Sequence, residues 1–180
     1  ITRLFYRRVD GVLLIEKLNA ENREVFRKVA KEFPTVKVFA NAEIENVLSV
    51  FVDPVSIGKL AADCFHRYGH RKVMLLGDRP SCRDVFLQRM DNYGIKIPQK
   101  YIFPDFENFN EGRKAVAQLV EHDLDATGIF CYNDTNAAGV IYEAAKRGIR
   151  IPEDLSVLGV GNIDLSRQIY PMLTTIELPQ

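Results

Sequence analysis

The chain has 180 residues, 47% of them hydrophobic, and 24 Lys+Arg balance 24 Asp+Glu to leave no net charge. A nucleic-acid-binding domain carries a basic excess, and here the local pairs Arg7-Arg8 and Arg71-Lys72 stand beside strand or helix ends and read as solvated faces. Cys64, Cys82 and Cys131 are odd in number, widely spaced and without a CxxC, which argues against a disulfide framework or a zinc site and for a reducing compartment.

Residues 11–15 form an unbroken apolar run, the mark of a buried parallel strand. Val25, Phe26, Val29, Ala30 and Phe33 recur at helical spacing, and Pro34 stops that helix. Residues 36–39 and 49–52 are the next strands, separated by the longest polar interruption, 41–48. Asp53-Pro54 starts a helix, an acidic N-cap before Pro at the first helical position. Its predicted buried stripe is Ile57, Ala61, Cys64, Phe65 and Tyr68, closed by Gly69.

Strand 72–76 follows, then a helix over 85–93 closed by Gly94, and strand 101–103. A helix over 111–120 turns Ala115, Val116, Leu119 and Val120 to one side. Strand 127–132 leads into a helix over 133–147 with Ala137, Ile141, Ala144 and Ala145 inward. Strand 155–159 runs into the glycine-rich end Gly159-Val160-Gly161-Asn162. The alternation predicts parallel sheets with helices on both faces and right-handed crossovers. Ligands of such sheets bind at the carboxyl ends of the strands. No apolar run approaches the ~18 residues of a membrane span, and residues 1–8 lack the shape of a signal peptide.

Arg8-Val9-Asp10-Gly11-Val12-Leu13-Leu14, Asp53 with Gly58 and Ala61, and Tyr68-Gly69-His70-Arg71-Lys72-Val73 occur in that order. They are followed by Ile129-Phe130-Cys131-Tyr132-Asn133-Asp134, by 151–159 (IPEDLSVLG), and by Pro171-Met172-Leu173-Thr174-Thr175-Ile176. Together these segments resemble the effector-binding domain of the LacI/GalR family of bacterial transcription regulators. The resemblance implies an α/β fold of two similar doubly wound parallel-sheet lobes, of the type I periplasmic-binding-protein kind, incomplete at both ends. Residues 1–70 would be a partial N-terminal lobe, 71–172 the C-terminal lobe, and 173–180 a crossover strand returning toward the N-terminal lobe. The family's helix-turn-helix for DNA is absent from this stretch of sequence.

In that family an effector lies in a cleft, held by polar side chains at strand ends and stacked on an aromatic ring. Asp53 matches a pocket aspartate, although capping the helix at Pro54 is an equal role for it. Arg83 falls near the pocket arginine, with Arg89 as a competitor because the helix is one residue short. Phe106 matches the stacking aromatic, with Phe103 and Phe109 as alternatives. Asn133 matches a pocket asparagine and also stands where an N-cap belongs. Gly161 occupies the position of the family's main sugar-gripping carboxylate, and Asn162 beside it is the partial substitute. Leu178 falls where a polar pocket residue is common.

The resemblance implies a cytoplasmic homodimer that senses a sugar or related metabolite and reaches operator DNA through a domain outside this chain, most simply as a repressor. A periplasmic solute-binding protein feeding a sugar importer shares the fold and is the alternative. No nucleophile–base pair, GxGxxG, P-loop or HExxH is present, so neither an enzyme, a cofactor nor a metal is expected. His70, after Gly69, is read as structural.

Overall fold

The computed structural model describes residues 9–15, 20–38, 47–50, 52–77 and 79–178, with side chains of the first helix described from residue 23. The chain divides into two compact units, Ile1–Val52 and Asp53–Gln180.

In the first unit, β1 (Val12–Leu14), α1 (Ala20–Glu32), β2 (Thr35–Val38) and β3 (Leu48–Val50) form a parallel sheet of order β1-β2-β3. Phe26 and Val29 of α1 are buried as their spacing predicts. Val25, expected on the same stripe, is exposed; it stands one position, about 100° of helical rotation, away from Phe26. The polar interruption at 41–48 lies mostly outside the described residues.

The second unit carries α2 (Pro54–Arg67), β4 (Val73–Leu76), α3 (Pro80–Asn92), a 3-10 turn (Gln99–Tyr101) and β5 (Ile102–Phe103). It continues with α4 (Phe109–Glu121), β6 (Gly128–Cys131), α5 (Asp134–Lys146), β7 (Ser156–Gly161), α6 (Leu165–Gln168) and β8 (Thr174–Glu177). Its strands are all parallel in the order β5-β4-β6-β7-β8, with Leu75 level with Phe130, Phe130 with Leu158, and Leu158 with Thr174.

The two-residue pleat sorts the core into two layers. Met74, Leu76, Ile129, Cys131 and Val157 face a cluster that includes Ala115, Val116, Ala137, Val140 and Ile141 from α4 and α5. Val73, Leu75, Phe130, Leu158 and Val160 face one that includes Ala61, Phe65, Phe86 and Met90 from α2 and α3. Each fully buried Phe or Leu contributes roughly 1.5–3 kcal/mol. Continuous apolar runs on β4 and β6 follow from this covering on both faces.

The unit boundary differs from the one expected near residue 70. Helix α2 belongs with the second unit because Gly58 lets its backbone meet α3; a Cβ there would stand 2.5 Å from the carbonyl oxygen of Cys82. Within 173–180, read as a crossover strand returning toward the N-terminal lobe, residues 174–177 form the edge of the second unit's own sheet, pairing β7 from Leu158↔Thr174 to Gly161↔Glu177. Helix α3 begins at Pro80, ahead of the predicted 85, with Pro in its first turn. Tyr68, Val120 and Ala145, all expected inside, are exposed near the last turns of their helices. Cys82 and Cys131 are core residues and Cys64 is half-buried; burial pushes the Cys82 thiol up to about 12.

Candidate ligand site at the carboxyl edge of the second sheet

Because all five strands of this sheet run the same way, every strand-to-helix loop leaves from one edge, and α3, α4 and α5 each begin there. Helix N-termini carry a partial positive charge, so this edge favours electron-rich groups. Phe106, Asn133 and Asn162 follow β5, β6 and β7 respectively and therefore share it.

Asn133 is the N-cap of α5, in extended backbone with φ −156° and ψ 158°. Its Oδ1 accepts from the Asn136 N–H at 2.7 Å, and its Nδ2 donates to the Glu107 carbonyl at 2.8 Å. A primary amide has two N–H donors and two lone pairs. One of each is therefore left after the cap and the loop bond are made. The side chain is half-buried.

Asn136, fully buried, pins the adjacent loop by donating to the carbonyls of Phe106 at 2.8 Å and Asn108 at 3.2 Å. Asn108 caps α4 in a capping box with Glu111. The Phe106 ring, half-buried, stacks on Phe103 with centroids 5.1 Å apart and planes 24° apart. The stack joins Phe103 to the candidate surface. Phe109, the other alternative, packs against Tyr142 of α5 instead.

Asn162 adopts φ +52°, a left-handed conformation that asparagine tolerates better than most residues. Its N–H donates to Thr175 Oγ1 at 3.3 Å, and its Oδ1 accepts from Ser166 Oγ at 3.3 Å. Beneath it Asp134 is buried, with Oδ1 accepting from Thr175 Oγ1 at 2.6 Å and Oδ2 from the Ile163 N–H at 2.9 Å. The glycines of β7 make room for that carboxylate. A Cβ on Gly159 would collide with Asp134 Oδ1, and one on Gly161 would stand 3.3 Å from Oδ2. Gly161, read in the sequence as a lost carboxylate, thus has a packing reason, and its φ of +132° adds a second.

Arg83 stands in the first turn of α3, at the same edge, with Nε 3.1 Å from Asp84 Oδ1. Its competitor Arg89 is in the last turn of α3, held by Asp63 of α2 through bonds of 2.7 and 3.2 Å, and so points its charge to a helix–helix contact. Asp53 realises the capping role. Its oxygens accept from the Val55 N–H at 3.0 Å, the Ser56 N–H at 3.1 Å and the Ser56 hydroxyl at 2.5 Å. The Ser56 hydroxyl, followed by the backbone donors, holds this carboxyl below its ordinary range.

Sequence reading missed Asp134, Asn136 and Thr175. The signals were the Asn133-Asp134 pair at a helix start and the Thr174-Thr175 pair opening a strand. Among the described residues no group of three His, Cys, Asp or Glu could hold a metal, and no helix is long and apolar enough to cross a membrane.

Residues 62–180 match the family described as periplasmic binding protein-like domain. The transcriptional repressor CytR of Escherichia coli K12 is 28% identical over 193 residues, covering 100% of this chain and 54% of that protein. The repressor PurR of Vibrio atlanticus is 31% identical over 191 residues, covering 100% and 56%. The chain thus spans about half the length of these curated relatives. A LacI family regulator from Lactobacillus casei, solved with bound sucrose, superimposes with TM-score 0.85 at 25% identity, covering 99% of this chain and 68% of that one. The regulator CcpA of Lactococcus lactis shares the fold with TM-score 0.87 at 20% identity, covering 99% and 67%.

Proposed function

We propose that this chain, which belongs to the periplasmic binding protein-like domain family in the form that LacI/GalR-type regulators carry, is the effector-sensing part of a longer DNA-binding transcription regulator. The observation that carries the reading is the bridge Phe106–Asn136–Asn133. It sets a half-buried aromatic ring and an amide with free valences on one sheet edge. A ring face takes the apolar C–H face of a sugar, and the amide takes a hydroxyl in both directions.

The effector is a neutral polyhydroxy metabolite, a sugar or a close relative. Sucrose and glucose are bound in the Lactobacillus casei regulator, which supports this class. Asn162 stands in for the carboxylate missing at Gly161, so at that one position the grip relies on neutral hydrogen bonds of about 0.5–1.5 kcal/mol each rather than on stronger charge-assisted ones. Arg83 closes the site from α3, and Asp53 serves it through the cap of α2. The protein works as a cytoplasmic homodimer and binds a palindromic operator with a domain beyond this chain. Effector binding biases its conformation and so couples the two sites.

Mobility shifts of the full-length parent on its own promoter, with and without sucrose and glucose, test this. Binding that changes with one of the sugars is expected. An absence of DNA binding under every condition overturns the regulator reading.

A further inference from the structure

The second unit holds a cavity of about 350 Å³ at the edge opposite the candidate site. Ser156 and Thr174, which line it, are the first residues of β7 and β8, and Cys64, Phe65 and Tyr68 come from the end of α2. Its floor is buried core: Phe65, Leu158 and Leu173. Its rim is apolar yet open to water, with Tyr68 75% and Met172 72% exposed. An exposed apolar rim around a concave apolar floor marks a binding surface rather than a packing fault.

None of the fourteen lining residues is an aspartate, glutamate, lysine or arginine. The polar side-chain groups are Ser156, Thr174, the Cys64 thiol, the Tyr68 hydroxyl and His70. His70 is held in place: its Nδ1 lies 2.9 Å from Thr127 Oγ1, and its ring stands edge-on to Phe65 at 5.4 Å. Burial lowers its pKa, so the imidazole is neutral, and Nε2 is its other polar atom. An ionic ligand would find no countercharge here and would lose its hydration. Volume sets the size. A cavity of ~150 Å³ accommodates benzene, and drug-sized ligands occupy about 300–1,000 Å³.

We propose that this cavity is a second small-molecule site, distinct from the carboxyl edge, for an uncharged one- or two-ring aromatic compound with a single hydrogen-bonding group. The site shares no residue with the effector surface, so its fate does not depend on that reading.

Indole is the probe. The chain contains no tryptophan, so the emission of indole on entering an apolar cavity is read without interference. Titration of the 180-residue chain is expected to give a saturable blue shift. Cys64→Phe and Ser156→Leu, which fill the cavity from α2 and from β7, are each expected to weaken binding at least tenfold. A cooperative thermal transition confirms that each variant folds, and the second serves if the first does not. Indole-3-acetate, carrying a carboxylate, is expected to bind at least tenfold more weakly than indole.

No saturable shift, equal binding in both folded variants, or equal affinity for the acid overturns the proposal. Tyr170, 94% exposed, directly precedes the lining residues Pro171 and Met172. Loss of indole binding as protein concentration rises, restored by Tyr170→Ala, also overturns the proposal, assigning the cavity to a second copy of the chain.

Discussion

Asp134 accepts a 2.6 Å hydrogen bond from the hydroxyl of Thr175, 41 residues further along the chain. The pair ties the first turn of α5, directly after Asn133, to the edge strand β8. The same carboxylate accepts from the Ile163 N–H and so fixes the loop that carries Asn162. Removing it leaves a hydroxyl and a backbone donor without their acceptor in the interior. Asp134→Ala is expected to destabilise the chain by about 2–4 kcal/mol, and Thr175→Val by about 1–2 kcal/mol. Urea unfolding at pH 7 measures both. Because the two share one bond, the double variant is expected to cost less than the sum.

Gly161 sits at φ +132°, a conformation L residues rarely adopt, and a Cβ there would press on Asp134. Gly161→Ala is expected to cost roughly 1–3 kcal/mol. Restoring the carboxylate of the family pattern with Gly161→Asp is expected to cost more, because it sets two carboxylates side by side. A Gly161→Asp chain as stable as the original would show that the backbone relaxes and that the glycine is there for the ligand alone.

Capping and ligand binding at Asn133 are separable. Ser retains an N-cap acceptor and loses the amide donors. Asn133→Ser is therefore expected to hold stability within about 1 kcal/mol, while affinity for the sugar found to bind falls about tenfold. Phe106→Ala is expected to lower that affinity by a similar factor through loss of the ring face. Calorimetric titration of both variants with sucrose and glucose checks this, and unchanged affinity in both would remove the site from this edge.

Two surface carboxylates contribute to the response to acid. Lys72, then the Tyr101 hydroxyl, holds Asp125 at about 2. Arg150, through its side chain and its backbone N–H, holds Asp154 at about 2. An unfolded aspartate titrates near ~3.9. Both folded values are depressed, so their stabilisation is complete above about pH 4 and is lost as pH falls toward 2. Thermal midpoints between pH 2 and 6 are expected to drop in that window, and to drop less in the Asp125→Asn, Asp154→Asn double variant. Both pairs are exposed, so the effect is small and weakens with salt.

Much of the fold was legible because its causes are local. The apolar runs of β4 and β6 reflect a sheet covered on both faces, and Asp53-Pro54 and Asn133-Asp134 announce helix starts wherever they stand. Phe106 and Asn133 were found as candidates because they match pocket positions of the resembled family, and Asn162 because it stands beside one. Their mutual support was not legible: it runs through Asn136 and Asp134, whose partners lie 28 to 41 residues away. The pairing of Arg89 with Asp63, a residue of another helix, was likewise not legible.

Periodicity and caps, which act within a few residues, are enough in this sequence to determine alternating parallel strands and helices, while the resemblance to an effector-binding domain is carried by the matched segments from residue 8 to residue 176. The strand order β5-β4-β6-β7-β8 is a tertiary fact. By setting β8 beside β7 it brings Thr175 to Asp134, assigns residues 174–177 to the second unit's sheet, and leaves an apolar cavity where β7 and β8 begin. Those features depend on which segments become neighbours, and that is decided by burying both faces of the sheet at once, not by any one stretch of sequence.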